Sequence, residues 1–160
     1  MAKGQEAKTN AVREVEASGL SHQIFTWECP EAMGGLEVAQ RLGQDPERVF
    51  KTLVTRGKSG EHYVFLVPVV CSLNLKKAAH AVGEKSIEMI KDRELLPLTG
   101  YIHGGCSPIG MKKQFTTVVD ETAQLQEAIL FSGGRLGCQI LMAPDDLAQL
   151  VPLEYADITA

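Results

Sequence analysis

One lysine stands among apolar and β-branched neighbours in the stretch VFKTLV, residues 49–54. On a strand, Val49, Lys51 and Leu53 project to one face and Phe50, Thr52 and Val54 to the other. Such a lysine either snorkels its ammonium into water from an edge strand or aims it into a pocket, where three donors on a point charge suit a carbonyl oxygen or a phosphate. A second stretch, TGYIHGGCSPIG over residues 99–110, is too rich in glycine and proline for a helix, since each interior Gly costs about 1 kcal/mol relative to Ala. It reads as a loop. The successive N–H groups of Gly104, Gly105 and Cys106 could cradle an anion or oxyanion, or the loop could be only a tight connection between packed elements. A third, SGGR at residues 132–135, is a hairpin turn with a hydroxyl beside it; facing the same cleft, Ser132 could donate to a ligand.

Other chemistry has weaker support. Cys106 lies three residues from His103, but a nucleophilic thiol needs a base within hydrogen-bond reach, and an irregular loop does not guarantee one. His22, His62 and His80 fall on separate elements without metal-ligand spacing, so no metal is implied. The glycine loop does not follow a strand in a dinucleotide or Walker arrangement, so no nucleotide cofactor is implied. The doublets Lys76-Lys77 and Lys112-Lys113 suit phosphates as point charges, and equally suit solvated faces.

The elements that must position these groups alternate irregularly. NAVREVEASG carries Ala11, Val12 and Val15 at helical spacing and stops at Gly19; LEVAQRLG makes a second short helix that closes at Gly43. SHQIFTWE reads as a strand. VFKTLVT and YVFLVPVV, joined by RGKSGEHY, read as a hairpin. Asn74 can cap LKKAAHAVG, and SIEMI is expected to add a helical turn or two. FTTVVDE, EAILFS and GCQILMA read as strands, with SGGR turning between the last two, and PDDLAQLV closes as a helix with Pro144 in its first turn. Hairpins mixed with single helices predict an α+β fold, a mixed and mainly antiparallel sheet flanked by helices and curling toward a barrel.

At 160 residues the chain suits one domain, residues 1–160, and its 44% hydrophobic and 22% charged residues are globular averages. The four cysteines are scattered and expected to be reduced thiols. The apolar run VFLVPVVCSL is too short to span a bilayer and MAKGQEAKTN lacks the core of a signal peptide, so a cytoplasmic protein without membrane contact is expected. A net charge of −4 argues against coating nucleic acid through the overall field.

FKTLV, LNLKKAA, TGYIHGGCSPIGMKK, SGGR and APDDLAQLVPLEYADI, in that order and spacing, together resemble the YbaK proteins, bacterial Cys-tRNA(Pro) deacylases. The resemblance runs over nearly all of the chain from about Phe25. It implies an aminoacyl-tRNA editing domain with a barrel-like sheet, a cleft for the 3′ end of a mischarged tRNA, no cofactor, and prolyl-tRNA synthetase as a working partner. A synthetic site separates similar-sized amino acids poorly, so a second sieve is required. The family's essential lysine falls on Lys51 and its hydroxyl neighbour on Thr52. Its glycine loop falls on Gly100 to Gly110 and its SGG turn on Ser132 to Gly134, which implies substrate binding by Gly100, Tyr101, Gly104, Gly105, Ser132, Gly133 and Gly134, with Trp27 and Thr52. Trp27 stands where relatives often carry Tyr beside the cleft, and Gln139 near a position where some carry Asp. Similar members use the thiol of the substrate's own cysteine as nucleophile, which leaves Cys106 as a bystander. Editing of alanine on the same fold, or tRNA or synthetase binding without turnover, are the rival readings.

Overall fold

The computed structural model describes residues 8–160. Helix α1 (Asn10–Ser18) starts where the Thr9 hydroxyl accepts from the Val12 N–H and buries Ala11, Val12 and Val15 before Gly19 ends it. Helix α2 (Gly35–Leu42) ends at Gly43, and α3 (Leu75–Val82) begins at Asn74, whose side chain accepts from the Lys76 and Lys77 N–H groups. A side-chain cap of this kind contributes about 1 kcal/mol. The chain also forms α4 (Asp92–Thr99), which carries Pro97, and the short α5 (Pro144–Leu147).

The strands build two sheets rather than one. β1 (Gln23–Thr26), β6 (Ile129–Ser132) and β7 (Cys138–Met142) form a three-stranded sheet in the order β1-β7-β6. β2 (Phe50–Gly57), β3 (His62–Pro68), β4 (Ile87–Met89), β5 (Thr116–Asp120) and β8 (Leu153–Ala156) form a five-stranded sheet in the order β4-β2-β3-β5-β8. β5 pairs in parallel with β3 and with β8; the other ladders are antiparallel. The mixed, mainly antiparallel α+β architecture is therefore as expected, but the sheets do not close into a barrel; a single bridge, Val49 with Leu130, links them.

One local expectation is corrected, and one strand is added. SIEMI contributes a strand, not a helical turn: Ile87 to Met89 pair with Gly57 to Thr55, and Ile87 is buried beside α3 residues Ala78 and Ala79. Five residues carry too little periodicity to decide, and edge pairing decides instead. LEYA, read only as part of the closing segment, is β8, in register with Thr117 to Asp120.

Alternate residues of the five-stranded sheet feed two cores. Phe50, Val54, Val64, Leu66 and Val119 face a cluster that takes in α1 and the three-stranded sheet, with Phe131, Ile140 and Met142. Phe65, Val67 and Val118 face the opposite cluster beneath α3. A third, small cluster of Ala39, Val49 and Leu130 sits where α2 covers the bridge between the sheets.

Candidate active site

β2 positions the lysine. One edge of β2 is fully paired with β3, whereas the other carries β4 only at residues 55–57 and meets β6 only at Val49. The Ile90 N–H bonds to the Val54 carbonyl just beyond β4, and residues 50–53 run along the gap between these partners. A cavity of about 430 Å³ opens there, and Lys51 and Thr52 both line it although their side chains leave opposite faces of the strand. The cavity thus wraps the edge of β2. Among the described residues, none forms an ion pair with the Lys51 ammonium.

Thr52 lies between Phe50 and Val54 on the face that feeds the main core, yet its Oγ1 is buried without a hydrogen-bond partner. A hydroxyl in that position costs stability unless water or a bound ligand satisfies it. Gln139 repeats the signature from the other sheet: its Oε1 is buried and unpartnered, and it also lines the cavity. Gln139 stands directly opposite Ser132 in the β6–β7 ladder, so the two side chains leave the sheet on the same side. Ser132 lines the cavity too, its Oγ accepting from the Gly134 N–H at 3.1 Å. That bond leaves the serine proton free to point elsewhere.

From the glycine loop, Gly104 and Cys106 reach the cavity wall, as does His103. The Gly105 N–H closes a turn on the Ile102 carbonyl at 2.9 Å. A Cβ on Gly105 would lie 2.9 Å from the Arg135 Cα, so only glycine lets this loop and the SGGR turn touch backbone to backbone. Gly100, Tyr101, Gly133 and Gly134 do not line the cavity. The Gly100 N–H bonds to the Leu96 carbonyl at the end of α4, and the buried Tyr101 hydroxyl donates to the Ile109 carbonyl at 2.6 Å. Burial pushes the Tyr101 pKa up to about 12, so it stays a neutral donor. The Gly133 N–H bonds to the Cys138 carbonyl and closes the β6–β7 turn. Trp27 also lies off the cavity lining: its N–H bonds to the Gly137 carbonyl and its ring packs beneath the Arg41 guanidinium at 5.6 Å, with Nε1 buried and unpartnered.

The structure separates Cys106 from His103 chemically. His103 Nδ1 faces Asp92 Oδ1 at 3.5 Å on the exposed rim, while Cys106 is only 7% exposed and burial pushes its pKa up to about 12. At neutral pH the Cys106 thiol is protonated and a poor nucleophile. Cys106→Ala is accordingly expected to retain at least half of the wild-type activity in a single-turnover assay; abolished turnover would make Cys106 the nucleophile. The remaining basic doublets are only partly free, since Lys77 pairs with Asp157 at 3.0 Å and donates to the Thr159 carbonyl. Among the described residues, no group of three or more His, Cys, Asp or Glu is placed to hold a metal ion. No described helix is long and apolar enough to cross a membrane.

Gln139 is the residue that pattern reading alone passes over. Its signal was its place in the hairpin, opposite Ser132. Apolar walls from Met33, Val38, Met89 and Leu95 complete the cavity, and no feature of their local sequence marks them.

The family profile described as "Aminoacyl-tRNA editing domain" matches residues 29–150. A protein of Enterococcus faecalis (strain ATCC 700802 / V583) with the provisional name Cys-tRNA(Pro)/Cys-tRNA(Cys) deacylase EbsC is 43% identical over 159 residues, 98% of this chain and 96% of its own. A proline–tRNA ligase of Pelobacter propionicus is 32% identical over 91 residues, 57% of this chain but 16% of the ligase. A crystal structure described provisionally as a trans-editing enzyme for prolyl tRNA synthetase superposes with a TM-score of 0.84 at 25% identity, covering 97% of this chain and 99% of its own. With a profile that spans most of its length and a near full-length relative, the chain belongs to the aminoacyl-tRNA editing domain family.

Proposed function

We propose that the protein is a trans-editing deacylase that removes cysteine from mischarged Cys-tRNA(Pro), with Cys-tRNA(Cys) as a second substrate. The observation that carries this reading is a cavity furnished with a cation, hydroxyls and unpartnered acceptors but lacking an activated protein nucleophile. Such a site can orient and polarise an ester, so the attacking group comes from the substrate. The sulfur of the esterified cysteine attacks its own carbonyl carbon and the bond from that carbon to the ribose oxygen breaks. The thiol proton ends on the ribose hydroxyl, and cysteine leaves as a cyclic thiolactone.

Lys51 holds the ester carbonyl oxygen and stabilises the negative charge that grows on it, in a partly enclosed site where such charge pairing is stronger than in water. Ser132 and Gly104 fix the aminoacyl group. Thr52 and Gln139 satisfy their buried oxygens on it, the Gln139 Oε1 accepting from the α-ammonium. Holding sulfur and carbonyl in contact supplies the remainder through proximity. Prolyl-tRNA synthetase is the natural partner, because it releases the mischarged tRNA and can supply tRNA-binding surface that an acidic chain lacks. Both put the reaction in the cytoplasm.

The test is a substrate panel of Cys-, Ser- and Ala-tRNA(Pro) at equal concentration. Cysteine is expected to be cleared at least about a hundredfold faster than the others, since only cysteine carries the attacking thiol. Equal clearance of all three contradicts the substrate-thiol step. Preference for alanine supports alanine editing, and tRNA binding that survives Lys51→Ala without any turnover supports a binding module.

A further inference from the structure

Helix α1 is tied to the SGGR turn by a hydrogen bond that spans 124 residues of sequence: the Thr9 hydroxyl donates to the Gly133 carbonyl oxygen. The same hydroxyl accepts from the Val12 N–H at 3.1 Å as the cap of α1. The Gly133 carbonyl belongs to the same peptide group as the Gly134 N–H, which donates to Ser132 Oγ at 3.1 Å. Val12 N–H, Thr9 O–H, the 133–134 peptide and Ser132 O–H therefore form one unbroken donor-to-acceptor chain that ends at a hydroxyl on the cavity wall. Each bond in such a chain polarises the next, so the Ser132 proton becomes a better donor.

The turn is also seated sterically. A Cβ on Gly134 would lie 2.9 Å from the Thr9 Cβ and 2.9 Å from the Tyr101 ring, so the peptide sits in a slot between the helix cap and the glycine loop. Asn10 Nδ2 adds a longer bond, 3.4 Å, to the Gly110 carbonyl of that loop.

From this geometry we propose that Thr9 is a positioning residue for the deacylation reaction, acting through the 133–134 peptide to orient and polarise the Ser132 hydroxyl toward the bound aminoacyl ester. The proposal rests on the reading of Ser132 as a substrate contact.

The test compares Thr9→Ser, Thr9→Asp and Ser132→Ala, singly and with Thr9→Asp and Ser132→Ala combined, by kcat/KM on Cys-tRNA(Pro) and by thermal melting. Asp keeps the cap acceptor for Val12 but, ionised at neutral pH, has no proton for Gly133. Thr9→Ser is expected to match wild type, while Thr9→Asp, which sets a carboxylate against the Gly133 carbonyl oxygen, melts below wild type by the same amount in both backgrounds and loses roughly tenfold in kcat/KM. In the Ser132→Ala background, Thr9→Asp is expected to cost less than twofold more, because the group it positions is already gone. A Thr9→Asp variant as active as wild type, or one with the same fold-loss in both backgrounds, overturns the relay while leaving Ser132 as a substrate contact. Undiminished activity in Ser132→Ala removes that contact and the relay together.

Discussion

Lys51→Ala is expected to lower single-turnover deacylation of Cys-tRNA(Pro) by about 10² to 10³, the usual loss when one preorganised donor to a developing oxyanion is removed. The lysine is half-buried, lines the cavity, and has no ion-pair partner among the described residues. Its removal breaks no native pair, so the folded state should be shifted by no more than about 0.5 kcal/mol. Activity and melting temperature measured on the same preparation separate the two effects. Lys51→Arg should recover little, because a planar guanidinium fork places its donors differently from a compact ammonium. Near-normal turnover in Lys51→Ala would remove Lys51 from the mechanism.

The second large effect is structural. Gly137→Ala should destabilise the protein by more than about 2 kcal/mol. At Gly137 φ is +73°, and a Cβ there would lie 2.2 Å from the Trp27 carbonyl oxygen and 2.9 Å from the Cys29 Cβ. Neither the β1–β7 ladder nor the Trp27 N–H bond to the Gly137 carbonyl leaves the backbone room to retreat. Gly19→Ala is the matched control: φ is +75° there with nothing within 4 Å of the added methyl, so the cost should stay near the 1 kcal/mol of the left-handed conformation alone. The difference between the two in chemical denaturation isolates the clash. Because Gly137 precedes Cys138 and Gln139, its substitution should also lower activity, whereas Gly19→Ala should not.

Local chemistry made α1, α2 and α3 legible, since Asn74, Gly19, Gly43 and Gly83 mark their boundaries. The β2–β3 and β6–β7 hairpins were equally legible from alternation and turn residues. β4 and β8 were not, because no hairpin turn sets either of them off, and each is a strand only through its neighbour, β2 or β5. The split into two sheets has the same origin: it depends on which edge β2 leaves unpaired, a tertiary property.

In the site, Lys51 announced itself as a charge in an apolar strand, and family resemblance weighted it. Ser132 was visible as a hydroxyl beside two glycines. What sequence could not reveal was that the Gln139 Oε1 is buried without a partner, or that Thr52 hides an unpaired hydroxyl between two core residues. Cys106, the most conspicuous nucleophile in the sequence, proved to be deep in the wall with its pKa raised by burial. Gly133, Gly134 and Tyr101 sit in the interlocked backbone around the cavity, where their contacts are with α1 and the glycine loop.

The central claim, selective removal of cysteine from a proline tRNA, is tested most directly by incubating the purified protein with Cys-tRNA(Pro) and Pro-tRNA(Pro) and following each ester by acid-quenched release. The cavity and its lysine predict rapid loss of cysteine with proline left on its tRNA. Retention of both esters, or release of both at the same rate, would contradict it.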